Sequence, residues 1–346
     1  MPSTSGCASL TAGRLAELAL ASAYASAISP LNSPSCLLVD LSDACSAETA
    51  GLQPRLRQWL AAQAGPVIGV GGSPAARQDL GAACDLVLDD DKGLSTLLDN
   101  IHQAPVAAMT LVQVLRATEK MPATQALTVE SLAYSTLQSG ADFRRWSAAN
   151  PPEPQRIPAD DGPPLLIERR NGTLEIRLNR PSSRNAMSIE MRDALVEAFE
   201  LSVIDDGIRQ IEVSGLGACF CTGGALEEFG TAADPATAHA VRSLRLPAAT
   251  LLRSTAATRF HVHGACIGSG IELPAFARHL SASPGSFFQL PEIRFGLIPG
   301  AGGCVSIPRR IGRQRTAYLA LSARRINAAT ALDWGLIDEI TPAAAR

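Results

Sequence analysis

The sequence has 346 residues, of which 46% are hydrophobic, and carries a formal net charge of −3 at pH 7. This length predicts about two domains with enough apolar side chains for a packed core. The charge argues against nucleic acid or an anionic membrane as the main partner, and no apolar run of about 18 residues predicts a membrane span. The N-terminal residues lack a basic stretch before an apolar one, so we expect no signal peptide.

The use of cysteine and lysine excludes several kinds of chemistry. The eight cysteines are scattered, and we interpret them as reduced, buried thiols of a cytoplasmic protein. Neither they nor the histidines have the spacing of a zinc site, so no metal is expected. The only lysines are Lys92 and Lys120, and no GxxxxGK[ST] motif is present. This excludes a Schiff base in the second half of the chain and P-loop nucleotide hydrolysis.

The first 150 residues predict a small α/β domain followed by helices. Three apolar stretches predict buried strands, at 36–41, 66–70 and 84–89. The turn "GVGGS" after the second stretch lacks the third glycine of a dinucleotide-binding turn, and we interpret it as a tight turn. Residues 92–148 look helical. The prolines and charges of "NPPEPQRIPADDGPP" (150–164) then predict a linker.

The second half begins a new α/β pattern. "LLIERRNGTLEIRLNRP" (165–181) predicts two strands around an Asn-Gly turn, and the helical stretch that follows has Ser188 as its N-cap candidate. Further strands are predicted within "IRQIEVSGLG" and "TRFHVHGACIG". We therefore predict an N-terminal domain over residues 1–150, a linker over 151–164 and a second domain over 165–346.

Two glycine-rich turns in the second domain stand out because each follows a predicted strand. "FCTGGAL" (220–226) follows "IEVSG", and "GSGIEL" (268–273) follows "HVHGACI". Glycine lets a backbone N–H approach a ligand closely. Two such donors that converge on one point form an oxyanion hole, which stabilises the enolate of a thioester.

Five segments of the second domain, in this order and spacing, resemble the enoyl-CoA hydratase/isomerase (crotonase) family. The segments are 178–195, 218–229, 263–283, 287–321 and 326–340. The resemblance implies an α/β fold with a crotonase-like ββα spiral core, preceded here by a small α/β and helical domain. It also implies an acyl-CoA thioester substrate, in which coenzyme A is part of the substrate and no separate cofactor is needed. Such proteins usually assemble as homotrimers or hexamers.

The same resemblance assigns site residues one by one. The oxyanion donors fall on the N–H groups of Gly224 and Ser269, and the tight-turn residues are Gly223 and Gly268. The carbonyl of Ala186 falls where the family receives the adenine of CoA. Candidates for the CoA phosphates are Arg180 and Arg184. The chain departs from the common pattern at Ala225, which replaces an aspartate, at His263, which replaces a frequent asparagine, and at Ser269, which replaces a glycine.

Glu272 and Glu292 match the two acidic positions of the family's hydratases. One carboxylate activates a water for addition at Cβ and the other supplies a proton to Cα, or both share one water. The resemblance therefore implies a hydratase-type lyase acting on a 2-enoyl-CoA, with a role in fatty acid metabolism. An isomerase, an acyl-CoA hydrolase and a non-catalytic assembly subunit of the same fold remain as alternatives.

The family's chains continue beyond the last of these segments with helices that complete the trimer and cover the acyl site. Here residues 104–148 resemble those C-terminal helices, although they precede the core. We therefore expect a permuted layout in which these helices act on the same chain or on a neighbour. Residues 20–90 then resemble a degenerate copy of the core.

Overall fold

The computed structural model describes residues 9–20, 29–31, 34–42, 50–151 and 160–341. The first half begins with four parallel strands whose spatial order follows the chain. The strands are β1 (Ser9–Leu10), β2 (Leu37–Asp40), β3 (Val67–Val70) and β4 (Leu86–Leu88). The helices of this half are α1 (Ala12–Leu20), α2 (Gln53–Ala61), α3 (Pro74–Ala83), α4 (Leu94–Gln103), α5 (Pro105–Thr118), α6 (Ala123–Gln138) and α7 (Ala141–Ala149).

Successive side chains of a strand point to opposite faces of a sheet, and both faces of this first sheet are buried, as is usual for parallel strands. Leu37 and Val39 pack in an apolar cluster with side chains of α1, α2 and α3. Leu38 and Ile68 belong instead to the large cluster that includes α4, α5 and the second half of the chain. One continuous core thus includes residues of both predicted domains. The boundary between the two domains remains a prediction from the sequence. Residues 152–159 of the predicted linker lie outside the described residues.

The second half contains a six-stranded sheet and a three-stranded sheet. The first has the order β13-β10-β8-β7-β6-β5, with only β5 and β6 antiparallel, and the second has the order β12-β11-β9. The strands are β5 (Leu165–Arg170), β6 (Thr173–Leu178), β7 (Gln210–Gly215), β8 (Ala257–Val262), β9 (Ala265–Ile267), β10 (His279–Ala282), β11 (Phe287–Gln289), β12 (Ile326–Asn327) and β13 (Glu339–Ile340).

The helices of the second half surround these sheets. They are α8 (Ile189–Ile204), α9 (Pro235–Arg245), α10 (Pro247–Leu251), α11 (Ser269–Glu272), α12 (Gly303–Ser322) and α13 (Ala328–Trp334). Helix α12 bends at Gly312, where the backbone leaves helical geometry. Among the residues that the structure describes, no helix is long and apolar enough to span a membrane.

Local sequence signals explain several of these boundaries. Asn171 and Gly172 both have positive φ, as a two-residue hairpin turn of this type requires. The hydroxyl of Ser188 accepts the N–H of Met191 at 3.2 Å and caps α8. The predicted strand over 258–268 is instead two strands, β8 and β9. Gly264 separates them at a φ of +60°, where a Cβ would lie 2.4 Å from the carbonyl oxygen of Ala218.

The expectation that all cysteines are reduced is wrong, because one of the described cysteines forms a disulfide. Of the cysteines in the described ranges, five are free and buried, namely Cys84, Cys219, Cys221, Cys266 and Cys304. Cys36, by contrast, is disulfide-bonded. A disulfide is typical of an oxidising compartment, so this bond lends no support to the predicted cytoplasmic location.

The two halves are joined by a buried ion cluster at the end of the first sheet. Asp85 is 1% exposed and precedes β4. Its Oδ1 accepts from the Arg116 Nε of α5 at 2.8 Å and from the Arg313 Nη1 of α12 at 2.9 Å. Its Oδ2 accepts the N–H of Val67 at 2.9 Å. One carboxylate therefore holds together the first sheet, the N-terminal helices and the core.

The substitution Asp85→Asn is expected to lower the free energy of unfolding by about 3–5 kcal/mol, because it leaves two partly buried guanidinium groups without their counter-ion. Urea unfolding would measure this loss. Asp89→Asn is the matched control, because Asp89 lies at the other end of β4 and also pairs with an arginine but has 85% of its side chain exposed. That substitution should change stability by less than about 1 kcal/mol. Equal losses in the two variants would contradict the assignment.

Candidate active site

The two glycine turns lie side by side, joined by backbone hydrogen bonds. The N–H of Cys221 donates to the Ala265 carbonyl at 3.3 Å, and the N–H of Ile267 donates to the Cys221 carbonyl at 3.1 Å. A Cβ on Gly223, which has a φ of +95°, would lie 3.1 Å from the Ile267 carbonyl oxygen. The two turns can approach this closely only because glycine carries no side chain.

The N–H groups of Gly224 and Ser269 are candidate oxyanion donors. Among the described residues, no hydrogen bond uses either of these two N–H groups. Gly224 is held in place from both sides, because Met187 donates to the Gly223 carbonyl at 2.8 Å and Ala225 donates to the Met187 carbonyl at 3.3 Å. Ser269 is buried and opens the short helix α11. Both amides therefore remain available to a developing negative charge.

The side chains of Glu272 and Glu292 lie close together beside the second glycine turn (268–273). Glu272 ends α11, and Glu292 begins a 3-10 turn after β11. A Cβ on Gly268 would lie 2.7 Å from Glu292 Oε1 and 3.7 Å from Glu272 Oε1. Both side chains are buried, and Glu292 Oε2 has no hydrogen-bond partner among the described residues. Two carboxylates thus face the turn that carries the Ser269 amide.

Glu272 is held by the N-terminus of α12. Its Oε2 accepts the N–H of Ala301 at 2.7 Å and the N–H of Gly303 at 2.9 Å. A Cβ on Gly303 would lie 2.6 Å from Glu272 Cγ, so the glycine makes room for this side chain. Because the start of a helix presents unpaired N–H groups and partial positive charge, it is a favourable place for a carboxylate.

A third buried carboxylate, Glu130, reaches the same helix from α6. Its Oε1 accepts the N–H of Gly302 at 2.7 Å, and its Oε2 accepts the N–H of Cys304 at 2.8 Å. The sequence does not predict a role for this residue. Its only signal is a charged side chain within the apolar helical stretch "LTVESLAYSTL" (127–137), a position that often lies on a solvated face.

Burial raises the pKa of all three carboxyl groups, and the charge of Glu272 adds to this effect at the other two. Burial raises the pKa of Glu272 to about 7, and the amide bonds act in the opposite direction. Burial and then the charge of Glu272 raise the pKa of Glu292 well above its ordinary value. The same two causes raise the pKa of Glu130. At neutral pH the cluster therefore retains protons that isolated carboxyl groups would have lost.

Two cavities adjoin the site. A cavity of about 120 Å³ is lined by Ser269, Gly300 and Ala301 and by apolar side chains, among them Met187, Leu246 and Leu273. A second cavity of about 380 Å³ lies between α6, α9 and the segment 225–232. Met187, Arg192 and Arg242 line both cavities. The smaller cavity therefore adjoins Ser269, one of the two candidate oxyanion donors.

The remaining predicted site residues lie at the edge of this arrangement. The Ala186 carbonyl accepts the N–H of Ser188 at 2.9 Å and precedes Met187, which binds the first turn. Arg184 is exposed, and its side chain has neither a hydrogen bond nor an ion pair among the described residues. Arg180 instead pairs with Glu190, with Nη2 2.7 Å from Oε1. Within the part of the chain that the structure describes, no cluster of side chains is suited to hold a metal ion.

Comparison with known proteins gives one consistent result. The family model "Enoyl-CoA hydratase/isomerase" matches residues 168–345, slightly more than half of the chain. The enoyl-CoA isomerase/hydratase fer4 of Mycosarcoma maydis is 30% identical over 180 residues, which span 49% of this chain and 66% of that protein. The enoyl-CoA hydratase EchA19 of Mycobacterium tuberculosis is 32% identical over 189 residues, spanning 53% and 70%. A crystal structure of enoyl-CoA hydratase from Thermoplasma volcanium matches 52% of this chain and 72% of its own with 32% identity and a TM-score of 0.48.

The raised pKa of Glu272 predicts a pH-dependent stability. The folded protein binds a proton at Glu272 up to about pH 7, whereas the ordinary pKa is 4.5. Stability that is fully present below about pH 4.5 is therefore lost as the pH rises to about 7, by on the order of 3 kcal/mol. Urea unfolding should be measured at several pH values between 5 and 8. The free energy of unfolding of Glu272→Gln should rise relative to that of the wild type as the pH rises. The exposed Glu197→Gln is the control, and parallel curves for wild type and Glu272→Gln would refute the assignment.

Proposed function

The chain belongs to the enoyl-CoA hydratase/isomerase family, and from this premise we propose that it adds water to the double bond of a 2-enoyl-CoA thioester. The observation that carries the proposal is the pair of carboxylates behind the second glycine turn. Glu272 Oε1 and Glu292 Oε1 both lie within 3.7 Å of the position of a Gly268 Cβ, next to the Ser269 amide. An isomerase can work with one carboxylate at this place, whereas hydration uses two.

In the proposed reaction the two glutamates exchange roles around one water. One carboxylate takes a proton from the water as its oxygen bonds to Cβ. The electrons of the double bond move to the thioester oxygen, where the N–H groups of Gly224 and Ser269 stabilise the enolate. The other glutamate, in its protonated form, gives a proton to Cα. The raised pKa values of both groups support this division, because they keep a proton on the pair at neutral pH.

The cavities support an acyl-CoA with a short apolar acyl group. The cavity beside Ser269 has a volume of about 120 Å³ and room for only a few carbon atoms. The carbonyl of Ala186 would receive the adenine, and the unpaired Arg184 would meet a CoA phosphate. CoA is part of the substrate, and the proposal needs no separate cofactor. A homotrimer or hexamer remains the expected assembly, and the cytoplasmic location and a role in fatty acid metabolism remain predictions.

The direct test follows the loss of enoyl-thioester absorbance on a panel of 2-enoyl-CoAs of increasing chain length. Wild-type protein should hydrate the short members, and Glu272→Gln and Glu292→Gln should each lose about 10²–10⁴-fold in kcat. Glu197→Gln should retain wild-type rates. If only one glutamate matters, isomerase or hydrolase chemistry replaces the proposal. If wild type binds CoA thioesters without turnover, an assembly role replaces it.

The oxyanion assignment is tested at Ser269, because its proposed contribution comes from the backbone. Ser269→Ala keeps the N–H and should change kcat by less than about tenfold. Ser269→Pro removes the N–H at the first position of α11, where proline is tolerated in helices, and should lower kcat by about 10²–10³-fold. Circular dichroism would check that both variants fold. Similar rates for the two variants would remove Ser269 from the proposed hole.

A further inference from the structure

The four consecutive N–H groups at the start of α12 are divided between two carboxylates. Glu272 takes those of Ala301 and Gly303, and Glu130 takes those of Gly302 and Cys304. The two side chains therefore alternate along one backbone segment. Neither glutamate can shift without releasing a buried N–H group, which is costly in a protein interior.

Glu130 is held rigidly on its own helix. It is 1% exposed, and two residues that follow it on α6 contact the core. The Tyr134 ring packs against Gly300 so closely that a Cβ there would lie 2.3 Å from a ring atom. Arg242 of α9 lies 4.5 Å above the same ring and donates to Ser131 at 3.3 Å. Glu130 is therefore a fixed support for the start of α12.

A helix cap alone does not account for a carboxylate at this position. Neutral side chains such as serine or asparagine cap helix termini well, and burying a carboxylate is costly. The cost is greater here, because Glu130 lies within electrostatic reach of Glu272 and Glu292. Glu130 therefore adds electrostatic repulsion to the two other glutamates, and a neutral capping side chain would not add it. Such a local conflict is typical of functional sites.

We infer that Glu130 is a positioning residue of the proposed hydratase site: by sharing the amides of residues 301–304 with Glu272, it fixes the segment that orients the Glu272 carboxylate. This inference rests on the proposed function for its catalytic consequence, and on the hydrogen bonds alone for its geometry. Glu130 has a second effect when it is ionised, since its negative charge then raises the pKa of Glu292. The pair then keeps its proton to a higher pH.

Several charged or titratable groups face Glu130 from the surrounding elements. They are Glu272 of α11, Glu292 after β11, Arg242 of α9, Cys304 of α12 and Tyr134 of α6 itself. Arg242 acts against the two glutamates, because its positive charge favours the ionised form of Glu130. Cys304 and Tyr134 have raised pKa values, mainly through burial, and remain neutral at physiological pH.

The test compares Glu130→Gln, Glu130→Asp and Leu137→Ala with wild type in pH profiles of kcat/KM. Glu130→Gln should lower kcat about 10–100-fold with little change in KM and move the alkaline limb of the profile to lower pH. Glu130→Asp keeps the charge but shortens the reach, so kcat should fall while the limb stays in place. Leu137→Ala, a buried change on the same helix, should lower the melting temperature without moving the limb.

The outcomes separate this inference from the proposed function. If Glu130→Gln has the profile and the kcat of wild type, the inference is overturned while hydration stands. If Glu130→Gln fails to fold, a wild-type kcat in Glu130→Asp overturns it. If wild type shows no hydration, the pH dependence of urea unfolding decides. With rising pH, the loss of stability should then be smaller in Glu130→Gln than in wild type and complete at a lower pH, and an unshifted window would overturn the inference.

Discussion

The unpaired N–H groups at the start of α12 need hydrogen-bond acceptors, and the rest of the site is arranged to supply them. The first N–H groups of any helix lack partners within the helix, and the segment "PGAGG" (299–303) contains no side chain that could cap them. The segment is also largely buried, so water does not replace the missing partners. Carboxylates brought from α6 and α11 supply them. The helix start in turn supplies the positive potential that makes buried carboxylates tolerable.

The segment 296–303 therefore has two faces, and glycine is needed on both. On one face, Gly303 leaves room for the Glu272 side chain. On the other, a Cβ on Gly296 would lie 2.6 Å from the backbone nitrogen of Phe143, and a Cβ on Gly300 would strike the Tyr134 ring. The same few residues thus accept the N-terminal helices and orient the acid. The packing of α6 and α7 and the geometry of the site therefore depend on the same residues.

Much of this arrangement was predictable because it depends on local signals. The Asn-Gly hairpin, the Ser188 cap and the α/β pattern of both halves follow from short stretches of sequence, and the structure confirms them. The crotonase-like family was predictable from five ordered segments, and the family match confirms it. Gly223, Gly224, Gly268, Ser269, Glu272 and Glu292 lie together in the structure, while their roles remain predictions.

Glu130 was not predictable, because its importance depends on contacts with residues about 170 positions away in the chain. A glutamate in a helical stretch is usually solvated, and nothing in its neighbourhood reports that α12 covers it. Asp85 is a similar case, since its two arginine partners lie 31 and 228 residues away. The disulfide at Cys36 was missed because scattered cysteines in a long chain usually remain reduced. In each case tertiary packing, rather than local pattern, decides the state of the side chain.

What the N-terminal helices contribute to the site is the placement of Glu130 and Tyr134 against the start of α12. Helix α6 precedes the core in the chain, and it reaches the start of α12 within the same chain. Any shift of α6 would alter the sharing of four amides, and with it the orientation of Glu272 and the charge near Glu292. The first half of the chain is thereby linked to the protonation of the acidic pair, although it contributes no residue to either glycine turn.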